Sequence, residues 1–174
     1  MLYTLLGAVS VSAVSALLVF LVRRHFWHGM PRWIMPATAG LAMIGFSIWN
    51  SYAWYGRITS HLADGVVVAA TFPTRSPIEP WTYMFPRVQH FIAVNMAGRA
   101  RLADRPDLVV AEVIEFQQFR NVVRTVHLFD CRGRRMGRLP AEEPRFDDAG
   151  DITGIDWAAP SAGAPLVATV CGSV

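Results

Sequence analysis

The chain has 174 residues, 53% of them hydrophobic and 17% charged, with a formal net charge of +3. That apolar content fits a membrane segment joined to one small globular domain better than a wholly soluble fold. The positive charge is no mark of nucleic-acid binding. Arg23, Arg24 and Arg32 account for all of it, and the residues after them carry arginine and acid in equal number, which leaves no net basic face for phosphates. No lysine occurs anywhere, so Schiff-base and P-loop chemistry are excluded.

Residues 1–22 and 33–56 contain no charged side chain. About 20 residues, each rising about 1.5 Å, cross a hydrocarbon core of roughly 30 Å. The sequence therefore predicts a transmembrane hairpin over residues 1–56, with spans over 3–22 and 34–55 and a link at 23–32. A cleaved signal peptide would carry its positive charge ahead of the apolar run. Here Arg23 and Arg24 follow it, so the segment reads as an uncleaved anchor. The three link arginines then lie on the cytoplasmic side, opposed by Arg57 alone at the other face. That places the N-terminus and residues 57–174 on the periplasmic side of a bacterial inner membrane. Trp27 and Trp33 mark one interface; Trp49, Tyr52, Trp54 and Tyr55 mark the other.

Ala8, Ser12 and Ala16 repeat at every fourth position of the first span, a small-residue stripe that lets helix backbones approach. The stripe suits packing within the hairpin, and equally docking against integral membrane subunits of a larger complex. Pro36 sits near the start of the second helix, where a missing N–H is tolerated. His25 and His28 are three residues apart in the link, but two histidines without a third ligand make no metal site. The lipid bilayer is the first partner implied, and no cofactor or metal is.

The remaining chain reads as a small antiparallel domain. Residues 66–72 form a β-branched first strand. Residues 73–86 hold four prolines and read as irregular, presenting Trp81, Tyr83, Met84 and Phe85. Those aromatics cap the domain's own core, rest on the membrane, or contact a partner. Residues 87–95 alternate as a second strand, followed by an arginine-rich connection over 96–106. Residues 108–119 fit strand or helix; the short turn at Arg120 and Asn121 into 122–131 favours a hairpin of strands. Arg132 and Gly133 then turn into a strand over 134–139. Arg132, Arg134, Arg135 and Arg138 form a basic cluster suited to an anion or a partner, although alternation splits Arg135 from Arg134 and Arg138. The acids Glu142, Glu143, Asp147, Asp148, Asp151 and Asp156 dominate the tail and would complement that basic region, individual surface pairs being worth about 0–1 kcal/mol.

Cys131 and Cys171 are the only cysteines. In an oxidising compartment two cysteines with none left over favour one disulfide over two free thiols. A redox or zinc pair at C-x-x-C spacing is absent.

FDCRGRRMGRL (residues 129–139), FDDAGDI (146–152) and WAAPSAGAPLVATVC (157–171) together resemble the C-terminal half of surface-adhesin E-like domains. The resemblance implies an antiparallel sheet with a C-terminal helix tied across it through Cys131 and Cys171. On the same analogy Leu166, Val167 and Val170 face the sheet, and Pro165 starts the helix. The adhesive role itself does not follow, because two uncleaved spans retain this chain in the inner membrane.

Catalytic chemistry has little to work with. His61, His90 and His127 stand outside any nucleophile, zinc or phosphate-loop motif. Glu112 and Glu115 point to opposite faces if their segment is a strand. The expectation is a membrane-anchored α+β protein without enzymatic activity: an accessory or assembly subunit of a membrane complex, or else an envelope ligand-binding module. Trp81, Tyr83, Phe85, Arg132, Arg134 and Arg135 are its candidate partner contacts.

Overall fold

The structure is a computed structural model that describes residues 2–26, 29, 31, 33–102, 105–139, 145–146, 152–153, 155–158 and 160–172. The chain divides into two compact units, Met1–Arg57 and Ile58–Val174.

The first unit holds two helices, α1 (Leu2–His25) and α2 (Ile34–Thr59). Large apolar side chains stand exposed over most of α1, among them Leu5, Val9, Val14, Leu18 and Leu21, while the face with Ala8, Ser12 and Ala16 is buried or half-buried. Two of its hydroxyls bond back to carbonyls of the same helix. Ser12 and Ser15 donate to the carbonyls of Ala8 and Val11 at 2.8 Å, and Thr38 and Ser47 of α2 do the same to Ile34 and Met43. Among the described helices one, Thr4–His25, is long and apolar enough to cross a membrane. The second expected span is helical throughout, but Thr38, Gly40, Gly45, Ser47, Asn50 and Ser51 thin its apolar surface below that standard.

Phe46 of α2 lies over Gly7 of α1, where a methyl group would come within 2.8 Å of the ring. Ala8 beside it is buried, whereas Ser12 and Ala16 are half-buried. The small-residue stripe is thus covered at one end and partly open along the rest.

The second unit is a curled six-stranded sheet, entirely antiparallel, in the order β1 (Val66–Thr74), β2 (Arg87–Arg101), β3 (Leu108–Gln117), β4 (Val123–Asp130), β5 (Arg135–Arg138) and β8 (Trp157–Ala158). A separate short ribbon pairs β6 (Arg145–Phe146) with β7 (Ile152–Thr153). The 108–119 segment is strand: Val94 pairs with Val113, Val109 with Phe129, and Ala111 with His127. Those pairings put Val94, Val109, Ala111, Val113 and Phe129 on one face. Helix α3 (Pro160–Cys171) covers that face with Leu166, Val167 and Val170. Each fully buried apolar side chain of this kind contributes about 1.5–3 kcal/mol. Gly163 brings α3 close enough to Met136 of β5 that a Cβ there would lie 2.8 Å from the thioether.

Three expected boundaries are corrected. The second strand does not end at residue 95 but runs to Arg101, through a bulge between Asn95 and Ala100. Asn95 Oδ1 accepts from Gly98 N–H at 3.1 Å inside the bulge, and Ala100 and Arg101 then rejoin β3. Gly65 faces this bulge at φ +84° with Ala97 against it, a position only glycine fills without strain. The proline-rich stretch is not wholly irregular: β1 continues through Pro73 to Thr74, and a 3₁₀ turn forms over Pro80–Tyr83. An edge strand tolerates Pro73 because its missing N–H costs no ladder bond. Finally, α3 begins at Pro160 rather than Pro165. Proline is well accommodated at the first helical position, and Pro165 sits inside the helix, its carbonyl accepting the Thr169 hydroxyl at 2.8 Å.

Candidate interaction site

The stretch from β1 to β2 is built around a polar side chain in an apolar sequence. Thr82 is 1% exposed. Its hydroxyl accepts from Ser76 N–H at 2.9 Å and donates to the Glu79 carbonyl at 2.7 Å. Glu79 in turn pairs with Arg87 at 3.0 Å, at the start of β2. These bonds fix the backbone of the turn and leave its apolar side chains outward: Ile78 is 88% exposed, Met84 79%, Phe85 65% and Tyr83 57%, with Trp81 beside them. Several large exposed apolar side chains on one pinned loop suit a recognition surface. Trp81, Tyr83 and Phe85 are therefore all exposed on one short loop. Ile78 and Thr82 complete the arrangement, and sequence reasoning missed both. An isoleucine set between Pro77 and Glu79 carried a signal for exposure; Thr82 carried none.

The basic cluster does not hold together. Arg132 and Arg134 are exposed on the turn between β4 and β5, Arg134 at φ 49°. Arg135 is committed elsewhere: its Nε donates to Asp130 Oδ2 at 2.8 Å, and its guanidinium stacks 4.5 Å over the Trp157 ring. Burial pushes the Asp130 carboxyl up, but the Gly133 N–H and Arg135 outweigh that and hold it below its ordinary value. The group is a structural knot that closes the turn and ties β8 to β5.

Cys131, immediately after Asp130, is bonded to Cys171 at the end of α3, with Cα atoms 5.5 Å apart. A disulfide belongs to an oxidising compartment.

The titratable groups of the sheet serve separate networks. His90 Nε2 lies 2.9 Å from Glu115 Oε1, and its ring stacks on Phe72 at 4.8 Å. Glu112, on the opposite face, accepts from Asn95 Nδ2 at 3.2 Å and Arg124 Nη1 at 3.4 Å. His127 is partly buried, opposite Ala111 on the neighbouring strand. Burial lowers its pKa, a hydrogen bond to the Thr125 backbone opposes this, and the Arg138 charge adds to the lowering.

In the first unit, Arg57 Nη2 donates to Asn50 Oδ1 at 2.6 Å and lies over Trp49. Trp27, His28 and Arg32 lie outside the described residues, as do Glu142, Glu143, Asp147, Asp148 and Asp151.

No family model matches this chain, and no curated protein or solved structure is similar to it. The resemblance to surface-adhesin E-like domains accordingly stands on its quoted residues alone.

Proposed function

We propose that the chain is a non-enzymatic subunit of a bacterial inner-membrane complex, anchored by a two-helix hairpin, with its disulfide-bonded domain in the periplasm. The observation that carries the subunit reading is the loop: Ile78, Trp81, Tyr83, Met84 and Phe85 are held outward by Thr82 and by the Glu79–Arg87 pair. Leaving large apolar groups in water is unfavourable by about 25 cal/mol per Å², and buried aromatics of this kind anchor protein interfaces. The membrane reading is supported by α1, which is long and apolar enough to span and exposes large apolar side chains outside its small-residue stripe. A half-open Ala8, Ser12 and Ala16 stripe suits a further helix from an integral membrane partner. The enzymatically silent reading is supported by the separation of the His90–Glu115 pair, Glu112 and His127 into different networks.

Affinity capture of the tagged full-length chain in mild detergent tests this. The expected result is a defined set of membrane proteins, lost when Trp81, Tyr83 and Phe85 are changed together to Ala. Capture of the chain alone under every detergent, or an unchanged set with the triple variant, overturns it. The alternative, an envelope ligand-binding module of adhesin E-like type, is favoured by the two exposed arginines Arg132 and Arg134. In that case their substitution, not that of the loop, abolishes recovery.

A further inference from the structure

The link end of the helical hairpin holds an open hollow of about 470 Å³ lined by Phe20, Arg23, Arg24 and Met35. Three of these come from α1, where positions 20, 23 and 24 share one helix face, and Met35 comes from the first turn of α2. The lining residues are amphipathic in a particular way: two arginines, one phenylalanine and one methionine. Residues 1–57 contain no Asp or Glu at all, so neither arginine has a carboxylate partner within this unit. Arg57 shows what a satisfied arginine looks like here, with Asn50 Oδ1 at 2.6 Å and the Trp49 ring alongside.

We propose that this hollow binds the headgroup of an anionic phospholipid, an inference that rests on the membrane reading above. Arg23 and Arg24 grip the phosphate oxygens with their paired N–H groups. Phe20 and Met35 cover the glycerol and the first methylenes. Paired arginine and apolar walls suit a lipid phosphate better than free phosphate, which would leave the ring and the thioether facing solvent. Basic pockets between membrane helices are a general means of holding acidic headgroups. Bound there, the lipid bridges α1 to α2 at the end of the hairpin away from the Phe46–Gly7 contact.

The test uses the full-length chain reconstituted into vesicles of phosphatidylcholine mixed with phosphatidylglycerol. Flotation first establishes that the chain is in the membrane. Extraction into a phosphate-free maltoside detergent and native mass spectrometry then report which lipid stays bound. The wild type is expected to retain phosphatidylglycerol in preference to phosphatidylcholine. Each Arg→Gln change at positions 23 and 24 is expected to reduce that preference about fivefold. The double Arg→Lys variant keeps the charge beside the helix C-terminus but loses the two-pronged grip, so intermediate retention supports the site. A chain that floats yet retains both lipids equally, or whose Arg→Gln variants behave as wild type, overturns the pocket and leaves the membrane reading intact. Displacement of the lipid by inorganic phosphate without loss of the preference at Arg→Gln overturns the headgroup assignment in favour of a nonspecific anion. A chain that does not float overturns the membrane reading, and the pocket with it.

Discussion

Replacing both Cys131 and Cys171 with Ser is the sharpest available perturbation of the domain. The two positions are 40 residues apart, and releasing a loop of that length in the unfolded chain costs about 4 kcal/mol of stability in the chain-entropy description. Whole domains are stable by about 5–15 kcal/mol, so this is a large share. The intervening stretch is rich in Gly, Pro and acids, and the helix is held by Leu166, Val167 and Val170 on the core. Those contacts survive the substitution, so the variant folds but unfolds early. Urea titration of the full-length protein in mild detergent, followed by near-ultraviolet circular dichroism, measures the effect. With an m-value near 2 kcal/mol/M, the midpoint is expected to fall by about 2 M. An unchanged midpoint, in the variant or in reduced wild type, would refute the role assigned to the bridge.

Further expectations follow from the same geometry. Phe129, fully buried in the core, costs about 3–5 kcal/mol when cut to Ala, read by the same titration. Thr82→Val leaves the Ser76 N–H without its acceptor and destabilises the loop by about 1–3 kcal/mol; limited proteolysis within residues 76–86 should accelerate about tenfold while Val123–Asp130 stays protected. Stability should fall on acidification through two groups. Asp130, held below its ordinary value, favours the fold at neutral pH and loses this as pH drops through its folded value; His127, lowered by burial, resists the protonation that the unfolded chain accepts below about pH 6.5. Asp130→Asn should remove the lower-pH part of that dependence, which pH-dependent unfolding midpoints will show. Gly65→Ala forces a side chain into φ +84° against Ala97 and should cost at least about 1 kcal/mol by the same titration.

Much of the sheet was legible because its signal is local. Residues 108–119 fit strand or helix by period, the short turn at Arg120 and Asn121 favours a hairpin, and β3 and β4 pair there. Leu166, Val167 and Val170 meet the core as the resemblance to surface-adhesin E-like domains implied. What escaped depends on contacts distant in sequence. The extension of β2 past Asn95 exists because Asn95 caps Gly98 and β3 waits across the bulge; residues 96–101 alone look like a polar connection. Pro160 rather than Pro165 starts α3, and a first helical position suits either proline, so local sequence did not separate them. Arg135 looked like one member of a basic cluster, but Asp130 and Trp157 claim it. Thr82 is the clearest case: nothing in PWTYMFP marks the threonine as the one side chain that turns inward.

The most direct measurement concerns the side of the membrane on which each unit lies. A Gly29→Cys variant in a Cys131→Ser, Cys171→Ser background reports the link; wild type reports the domain, after treatment of intact cells with a reductant that does not cross the inner membrane. With an impermeant thiol reagent, Cys131 and Cys171 should be unreactive before reduction and labelled after it, while residue 29 stays unlabelled until the membrane is opened. Labelling of residue 29 in intact cells, with Cys131 and Cys171 shielded even after reduction, would put the domain in the cytoplasm and contradict the account.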